Sequence, residues 1–301
     1  MTDKPSGLPH EPALVAEALQ QLRPDNGGLF VDCTVGSGGH SRALLEAGAT
    51  RVLGLDRDPT ALISAQKTLA PWADRVELVH ADYRTIGEML DARGIAVVDG
   101  ALADLGISSL QLDTPGRGFS FQRDEPLDMR MDQTQGDTAA DLVARSSEQE
   151  LADTIYAYGE ERFSRRIARA IVHARREAPI ETTGRLASIV RHVVPRHGHV
   201  RIDPVTRTFQ ALRIRVNREL EGLDTFIETA ARRLCAGGRL VVITFHSLED
   251  RIVKHTLRAL EHSRDAALRV LTKKPIVPGE DEVRRNPRAR SAKLRAAERL
   301  A

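Results

Sequence analysis

The sequence predicts an α/β fold, a largely parallel sheet with helices on its faces, interrupted by an all-helical insertion. Three observations predict it. Short apolar runs alternate with helical patterns through the first third of the chain, which is the pattern of a parallel sheet. That alternation stops after Ser109, gives way to about a hundred residues of loop and helical periodicity, and resumes near Leu240. An apolar run ending at an acid, Phe30-Val31-Asp32, leads into the glycine turn Gly36-Ser37-Gly38-Gly39-His40. An open sheet builds a nucleotide-shaped site at its carboxyl edge in this way.

In chain order, Leu29–Cys33 is the first expected strand. Gly36, Gly38 and Gly39 let the backbone turn sharply against a ligand, and Ser41–Ala47 reads as a helix that Gly48 ends. Val52–Leu55 is the second strand. Its terminal acid Asp56 lies 24 residues after Asp32 (56 − 32), near the ~20-residue offset at which an acid meets ribose hydroxyls. Pro59–Leu69 and Thr85–Ala92 read as helices around the strands Val76–Val79 and Val98–Ala103. A loop rich in Gly, Arg and Asp then runs from Asp113 to about Asp137, followed by roughly four helical segments. Arg239–Phe245 and Leu268–Thr272 are the expected final strands, flanking a helix after Ser247. This divides the chain into a discontinuous α/β domain, 1–112 with 218–301, and a helical insertion, 113–217. Read from the pattern alone, the glycine turn fits either a site for an adenosine-containing cofactor or a tight loop of any α/β domain.

Composition narrows the class. With 301 residues, 41% hydrophobic and 29% charged, the chain is long enough for two domains and a substantial core. Cys33 and Cys235 form no C-x-x-C pair, so no disulfide framework or zinc site is expected, and both read as small apolar core residues. The N-terminus carries Asp3 and Glu11 with no apolar signal core, and no run approaches the ~18 apolar residues of a membrane span. A cytoplasmic protein is expected. The net charge of +2 is unevenly spread: Glu160 to Arg218 holds 14 Arg against 5 acids, a balance of +9, leaving −7 for the remainder. Such segregation is the footprint of a polyanion-binding face, although surface arginines on helices are also common.

Residues 160–177 are expected to form one helix with two faces. Phe163, Ile167, Ala170, Ile171 and Ala174 make an apolar stripe. Arg162, Arg166, Arg169, His173 and Arg176 form a basic row able to track phosphates through charge-assisted hydrogen bonds, the alternative being a solvated face.

The block Gly118-Phe-Ser-Phe-Gln-Arg-Asp-Glu-Pro-Leu-Asp-Met-Arg-Met-Asp132 points further. With Asp32–Ser41, Asp104–Asp113, Tyr158–Phe163, Thr206–Ala211, Phe245–Arg251 and Asn286–Ser291, it resembles the small-subunit ribosomal RNA N4-cytosine methyltransferase family, known as RsmH or MraW. The motifs run in family order through nearly the whole chain. The glycine turn itself is similar to the first motif of class I (Rossmann-like) S-adenosylmethionine-dependent methyltransferases, with Thr34 replacing the usual first glycine. The resemblance implies methyl transfer from S-adenosyl-L-methionine to the exocyclic N4 amine of a cytidine in the decoding region (P site) of 16S rRNA. The acceptor would be an assembled small ribosomal subunit, and the resemblance permits a homodimer. By motif match, cofactor contacts fall on Gly38, Gly39, His40, Asp56, Tyr83, Asp104 and Gln111. Asp104, ending the fourth strand, is the first candidate for contact with the reacting centre.

Other candidates have structural alternatives of equal weight. Ser108 and Ser109 could meet the base or cap a helix. Phe119 and Phe121 could stack on a flipped-out cytosine or anchor the long loop. His246 could accept a proton or serve as a strand-end hydrogen-bonding group, and the basic Asn286–Arg299 tail could meet RNA or form a solvated terminal helix. Two other functions compete: an RNA-binding ribosome assembly factor with a vestigial fold, and a nicotinamide-dependent oxidoreductase, which lacks its G-x-G-x-x-G order here.

Overall fold

The computed structural model describes residues 12–194, 204–263 and 268–300; Asp3 and Glu11 lie outside them. The chain divides into two compact units, 1–106 with 221–301, and 107–220. The first unit holds strands β1 (Leu29–Asp32), β2 (Arg51–Asp56), β3 (Val76–His80), β4 (Val98–Asp104), β5 (Leu234–Thr244), β6 (Leu268–Val270) and β7 (Lys293–Arg299). Its helices are α1 (Val15–Leu22), α2 (Gly39–Glu46), α3 (Pro59–Thr68) and α4 (Ile86–Asp91). After α5 (Ser109–Asp113), α6 (Ala139–Arg145), α7 (Glu148–Gly159), α8 (Ser164–Glu177), α9 (Thr183–Val193) and α10 (Pro204–Asn217) of the second unit come α11 (Leu223–Arg232), α12 (Ser247–His262) and α13 (Glu280–Arg285) of the first.

The strands form one sheet in the order β3-β2-β1-β4-β5-β7-β6, with β7 antiparallel to both its neighbours and every other pair parallel. Alternating side chains point to opposite faces of a strand. Val31, Leu53, Ala101, Leu240 and Val242 accordingly join one core with α4, α11 and α12. Phe30, Val52, Leu102, Val241 and Ile243 join the other with α1 and α2. Strands buried on both faces explain why they read as unbroken apolar runs. The chain winds outward from β1 through β2 and β3, then restarts at β4 on the other side. The carboxyl ends of β1 and β4 thus meet at a switch point, where open sheets hold ligands.

Two expectations about this unit are corrected. The Asn286–Arg299 tail is no solvated terminal helix; its second half is β7, inserted between β5 and β6 with Leu294, Ala296 and Ala297 buried. Arg295 in that strand is spent on Asp250, at 2.6 and 3.2 Å. Cys33 is buried as expected, but Cys235 is only partly buried, its thiol 3.6 Å from Asp99.

The second unit is helical around its own core, built from Leu127, Met129, Leu151, Ile155, Ile167, Ile171, Leu186, Val190, Phe209 and Leu212 among others. The expected limits 113 and 217 lie inside it, since Ile107 and Leu112 already pack on this core and Glu219 pairs with Arg213 at 2.7 Å. The predicted helix 160–177 is shorter, because Glu160 adopts φ 48° and ends α7 before α8 begins at Ser164. Gly159 in this corner is required sterically: a Cβ there would lie 2.6 Å from the Arg207 carbonyl on α10. The buried stripe of α8 is also turned slightly from the predicted one, with Ala168 and Val172 buried and Ala170 at its margin.

The long loop is tied to the helical core by buried hydrogen bonds. Asn217, 2% exposed, donates to the Met129 carbonyl and accepts from the Met131 amide, both at 2.7 Å, while Arg117 donates to the Met131 carbonyl at 2.7 Å. Phe119 lies in the core, and Phe121 sits edge-on to Phe209 at 5.1 Å. Asn217→Ala leaves two buried backbone groups unpaired, at about 1–3 kcal/mol each. A lowered urea midpoint, with a loss of about 3 kcal/mol, is expected; an unchanged midpoint contradicts this account of the loop.

Candidate active site

The site grows from the end of β1. Asp32 is fully buried, accepting from the Ser41 hydroxyl at 2.7 Å and the Thr34 amide at 3.2 Å. Burial pushes its pKa upward, against the opposing pull of His40 and Ser41. Asp32 is thus a strut for the turn that follows. Thr34, which the sequence marks as a departure from the generic motif, has a definite role: its Oγ1 accepts the Asp104 amide at 2.6 Å. The hydroxyl ties the end of β1 to the end of β4, a bond glycine could not make.

The turn then passes to Gly38, which takes φ 87° at the start of α2. A Cβ on Gly39 would lie 2.6 Å from the Pro12 ring. Asp56, at the end of β2, holds this turn from below: one carboxylate oxygen accepts the Gly36 amide and the other the Asp58 amide, each at 2.8 Å. Burial outweighs these bonds and pushes the Asp56 pKa up to about 6. An acid whose pKa rises on folding takes up a proton between roughly pH 4 and 6. Asp56 therefore opposes folding increasingly as pH rises through that window, unless further donors such as a ribose diol stabilise its ionised form.

Asp104 ends β4 opposite the helix start. His40, second residue of α2 and buried, brings Nε2 to 3.5 Å from Asp104 Oδ2. Among the described residues, both His40 Nε2 and Asp104 Oδ1 are buried without a hydrogen-bond partner, which a built polar cluster does not normally tolerate. Burial lowers the imidazole's proton affinity, but Asp104, Asp32 and Glu282 together raise the His40 pKa above its ordinary value. Glu282 comes from α13 and also accepts the Leu14 amide at 2.7 Å. Four carboxylates and one histidine thus gather at the carboxyl edge of one sheet.

Past β3, Tyr83 is half-buried and packs edge-on against Phe226 at 4.7 Å between centroids. Beside it, burial would raise Asp82, but bonds of 2.6 and 2.8 Å from Arg84, with Arg57 at 3.7 Å, hold it below the usual carboxylate range. Sequence reading missed Thr34, Asp82 and Glu282 in these roles. The acid and arginine flanking Tyr83 were a usable signal for Asp82; nothing near Glu282 in sequence signals its partner more than two hundred residues earlier.

Gln111 belongs to the second unit. Its side chain accepts the Ser108 amide at 3.0 Å and its own amide donates to Ser108 Oγ at 3.2 Å, a reciprocal cap on α5. Ser108 is thereby a capping residue. His246 is also a cap: its Nδ1 accepts the Glu249 amide at 3.4 Å, and its Nε2 lies 3.1 Å from the Glu249 carboxylate. In the helical unit, Arg166, Arg169, His173 and Arg176 are exposed along α8. Arg162 precedes the helix and lies over the Phe163 ring at 4.7 Å, so the basic row is one residue shorter than predicted. Arg169 faces Glu148 at 3.4 Å in an exposed pair, which is too weak to hold it from another anion.

A seven-stranded sheet in this order, with glycine turn and acids at the switch point, defines a Rossmann-like fold of the S-adenosylmethionine-dependent methyltransferase class. The chain belongs to the MraW methylase family, whose sequence model matches residues 7–300. It is 52% identical over 306 residues to a ribosomal RNA small subunit methyltransferase H from Bradyrhizobium diazoefficiens, covering 98% of this chain and 92% of that one. Proteins of the same name from Sorangium cellulosum and a Cyanothece species are 52% and 54% identical, covering 99% and 97% of this chain and 93% and 95% of theirs. Among the described residues, no helix is long and apolar enough to cross a membrane.

Proposed function

We propose that this chain transfers a methyl group from S-adenosyl-L-methionine to the N4 amine of a cytidine in the decoding region of 16S ribosomal RNA, with the small ribosomal subunit as acceptor. The observation that carries this reading is the Asp104 carboxylate. The Asp104 backbone amide donates to Thr34 beside the glycine turn, and one buried carboxylate oxygen has no partner among the described residues. Gly38, Gly39, His40, Asp56, Tyr83, Asp104 and Gln111 are the proposed cofactor contacts. The carboxylates around His40 favour a cationic ligand, and the free lone pairs of Asp56 suit ribose hydroxyls.

When bound, S-adenosyl-L-methionine supplies a methyl group already activated by a sulfonium. The chain's task is then to align a nitrogen behind the methyl carbon and exclude water. Cytosine's amine lone pair is delocalised into its ring, so an acceptor gripping an N–H favours the reacting geometry. Asp104 is the proposed acceptor. The exposed arginines of α8 are assigned to RNA phosphates. Arg166→Ala with Arg169→Ala is expected to weaken binding to 16S RNA and lower the slope of log affinity against log salt by about 1–2. Unchanged affinity at low and moderate salt removes α8 from the RNA surface. Titration with S-adenosyl-L-methionine against a nicotinamide dinucleotide separates this reading from an oxidoreductase, and absence of both would favour an assembly factor.

A further inference from the structure

We infer that the methyltransferase unit carries a second phosphate-binding surface, a cleft between α12 and the β6–β7 edge of the sheet that takes backbone phosphates of the RNA. The inference rests on the RNA reading above and extends it from the helical unit to the catalytic one. The cleft has a volume of ≈ 330 Å³ and is lined by Lys254, Arg258 and His262 from α12 and by Lys273 beyond β6. No side-chain hydrogen bond or ion pair among the described residues engages any of these four. Among the described lining residues Glu261 is the only acid, and its Oε1 already accepts the Val270 amide at 2.8 Å. Arg295, at the cleft floor, is neutralised by Asp250.

The arrangement costs the isolated protein something. Lys254 and Arg258 stand at i and i+4, with His262 one turn further on, so two cations face each other along one side of the helix, where like charges are mildly destabilising. The segment Arg251 to Lys274 contains seven Lys or Arg against two acids. Overall charge bookkeeping conceals this, because residues 1–106 and 221–301 together carry 26 Lys or Arg against 26 Asp or Glu. Cations spaced about 6 Å apart along a helix, Arg258 exposed and Lys254 half-buried, with side chains that meet no partner among the described residues, fit successive phosphates of a strand. They present no enclosed ring of buried donors such as a free phosphate would need.

The test uses the full chain with Lys254→Gln, Arg258→Gln and Lys273→Gln together. These side chains make no hydrogen bond or ion pair among the described residues, so the thermal midpoint and the affinity for S-adenosyl-L-methionine serve as controls of folding. Binding to 16S RNA is measured across salt concentrations for this variant and for the unaltered chain, alongside calorimetric titration with inorganic phosphate. We expect a loss of about tenfold in RNA affinity at low salt, and a salt slope smaller by about 2. Inorganic phosphate is expected to bind neither form detectably. RNA affinity and slope equal to those of the unaltered chain would overturn the inference while leaving the RNA reading intact. If the unaltered chain itself binds no RNA, both readings fail. Loss of inorganic-phosphate binding alone, with RNA binding untouched, assigns the cleft to a free anion and equally overturns the inference.

Discussion

Asp104→Ala is expected to reduce methyl transfer at least about a hundredfold, the scale on which removing one preorganised polar group at a reacting centre is felt. The Asp104 amide is anchored to Thr34 Oγ1 at 2.6 Å, so the carboxylate leaves β4 in a fixed direction, with Oδ2 toward His40 and Oδ1 buried without a partner among the described residues. Asp104→Asn keeps the shape but removes the charge, and with it a main support of the raised His40 pKa. Single-turnover transfer, measured separately from cofactor affinity, divides the roles. A rate loss at saturating cofactor places Asp104 at the acceptor amine. Loss of affinity alone confines it to the cofactor, and an unchanged rate and affinity remove it from the site.

Asp56→Ala carries the second large effect, a fall of about a hundredfold or more in cofactor affinity. The substitution removes the ribose acceptor and also frees the Gly36 and Asp58 amides that shape the turn. Hydrogen bonds to a charged group are worth about 1.5–3 kcal/mol each, so losing two is enough for that factor. A pH dependence follows from the same carboxyl. Its pKa of about 6 in the free protein means that acidification below that value protonates the acceptor before ligand can use it. The thermal shift produced by S-adenosyl-L-methionine is therefore expected to be larger at pH 7.5 than at pH 5. In Asp56→Asn that contrast should diminish. A shift independent of pH in the unaltered chain contradicts the assignment of Asp56 to the cofactor.

What the sequence made legible follows from physical causes. β1, β2, β3 and β4 are each apolar, and β1, β2 and β4 stop at an acid, so both their places and the ligand edge could be read directly. β7 could not. Lys293-Leu-Arg-Ala-Ala-Glu-Arg299 is made of good helix formers, and only pairing to β5 and β6 on both sides turns it into a buried strand. Local propensity lost to tertiary pairing there. The break before α8 was hidden for a different reason, since the left-handed conformation of Glu160 is uncommon for such a residue and leaves no mark on an otherwise periodic segment. Thr34 looked like a defect in a glycine motif because its bond partner, the Asp104 amide, lies seventy residues away. The cap formed by Ser108 and Gln111 was accessible from S-x-x-Q spacing, whereas the approach of His40 to Glu282 depends on the whole fold.

The most direct measurement is transfer of labelled methyl from S-adenosyl-L-methionine to small ribosomal subunits from a strain lacking this protein, followed by nucleoside mass spectrometry. N4-methylcytidine carrying the label is the expected product. Label in another nucleoside, or no transfer to subunits or free 16S RNA while cofactor binding is intact, would contradict the proposed reaction.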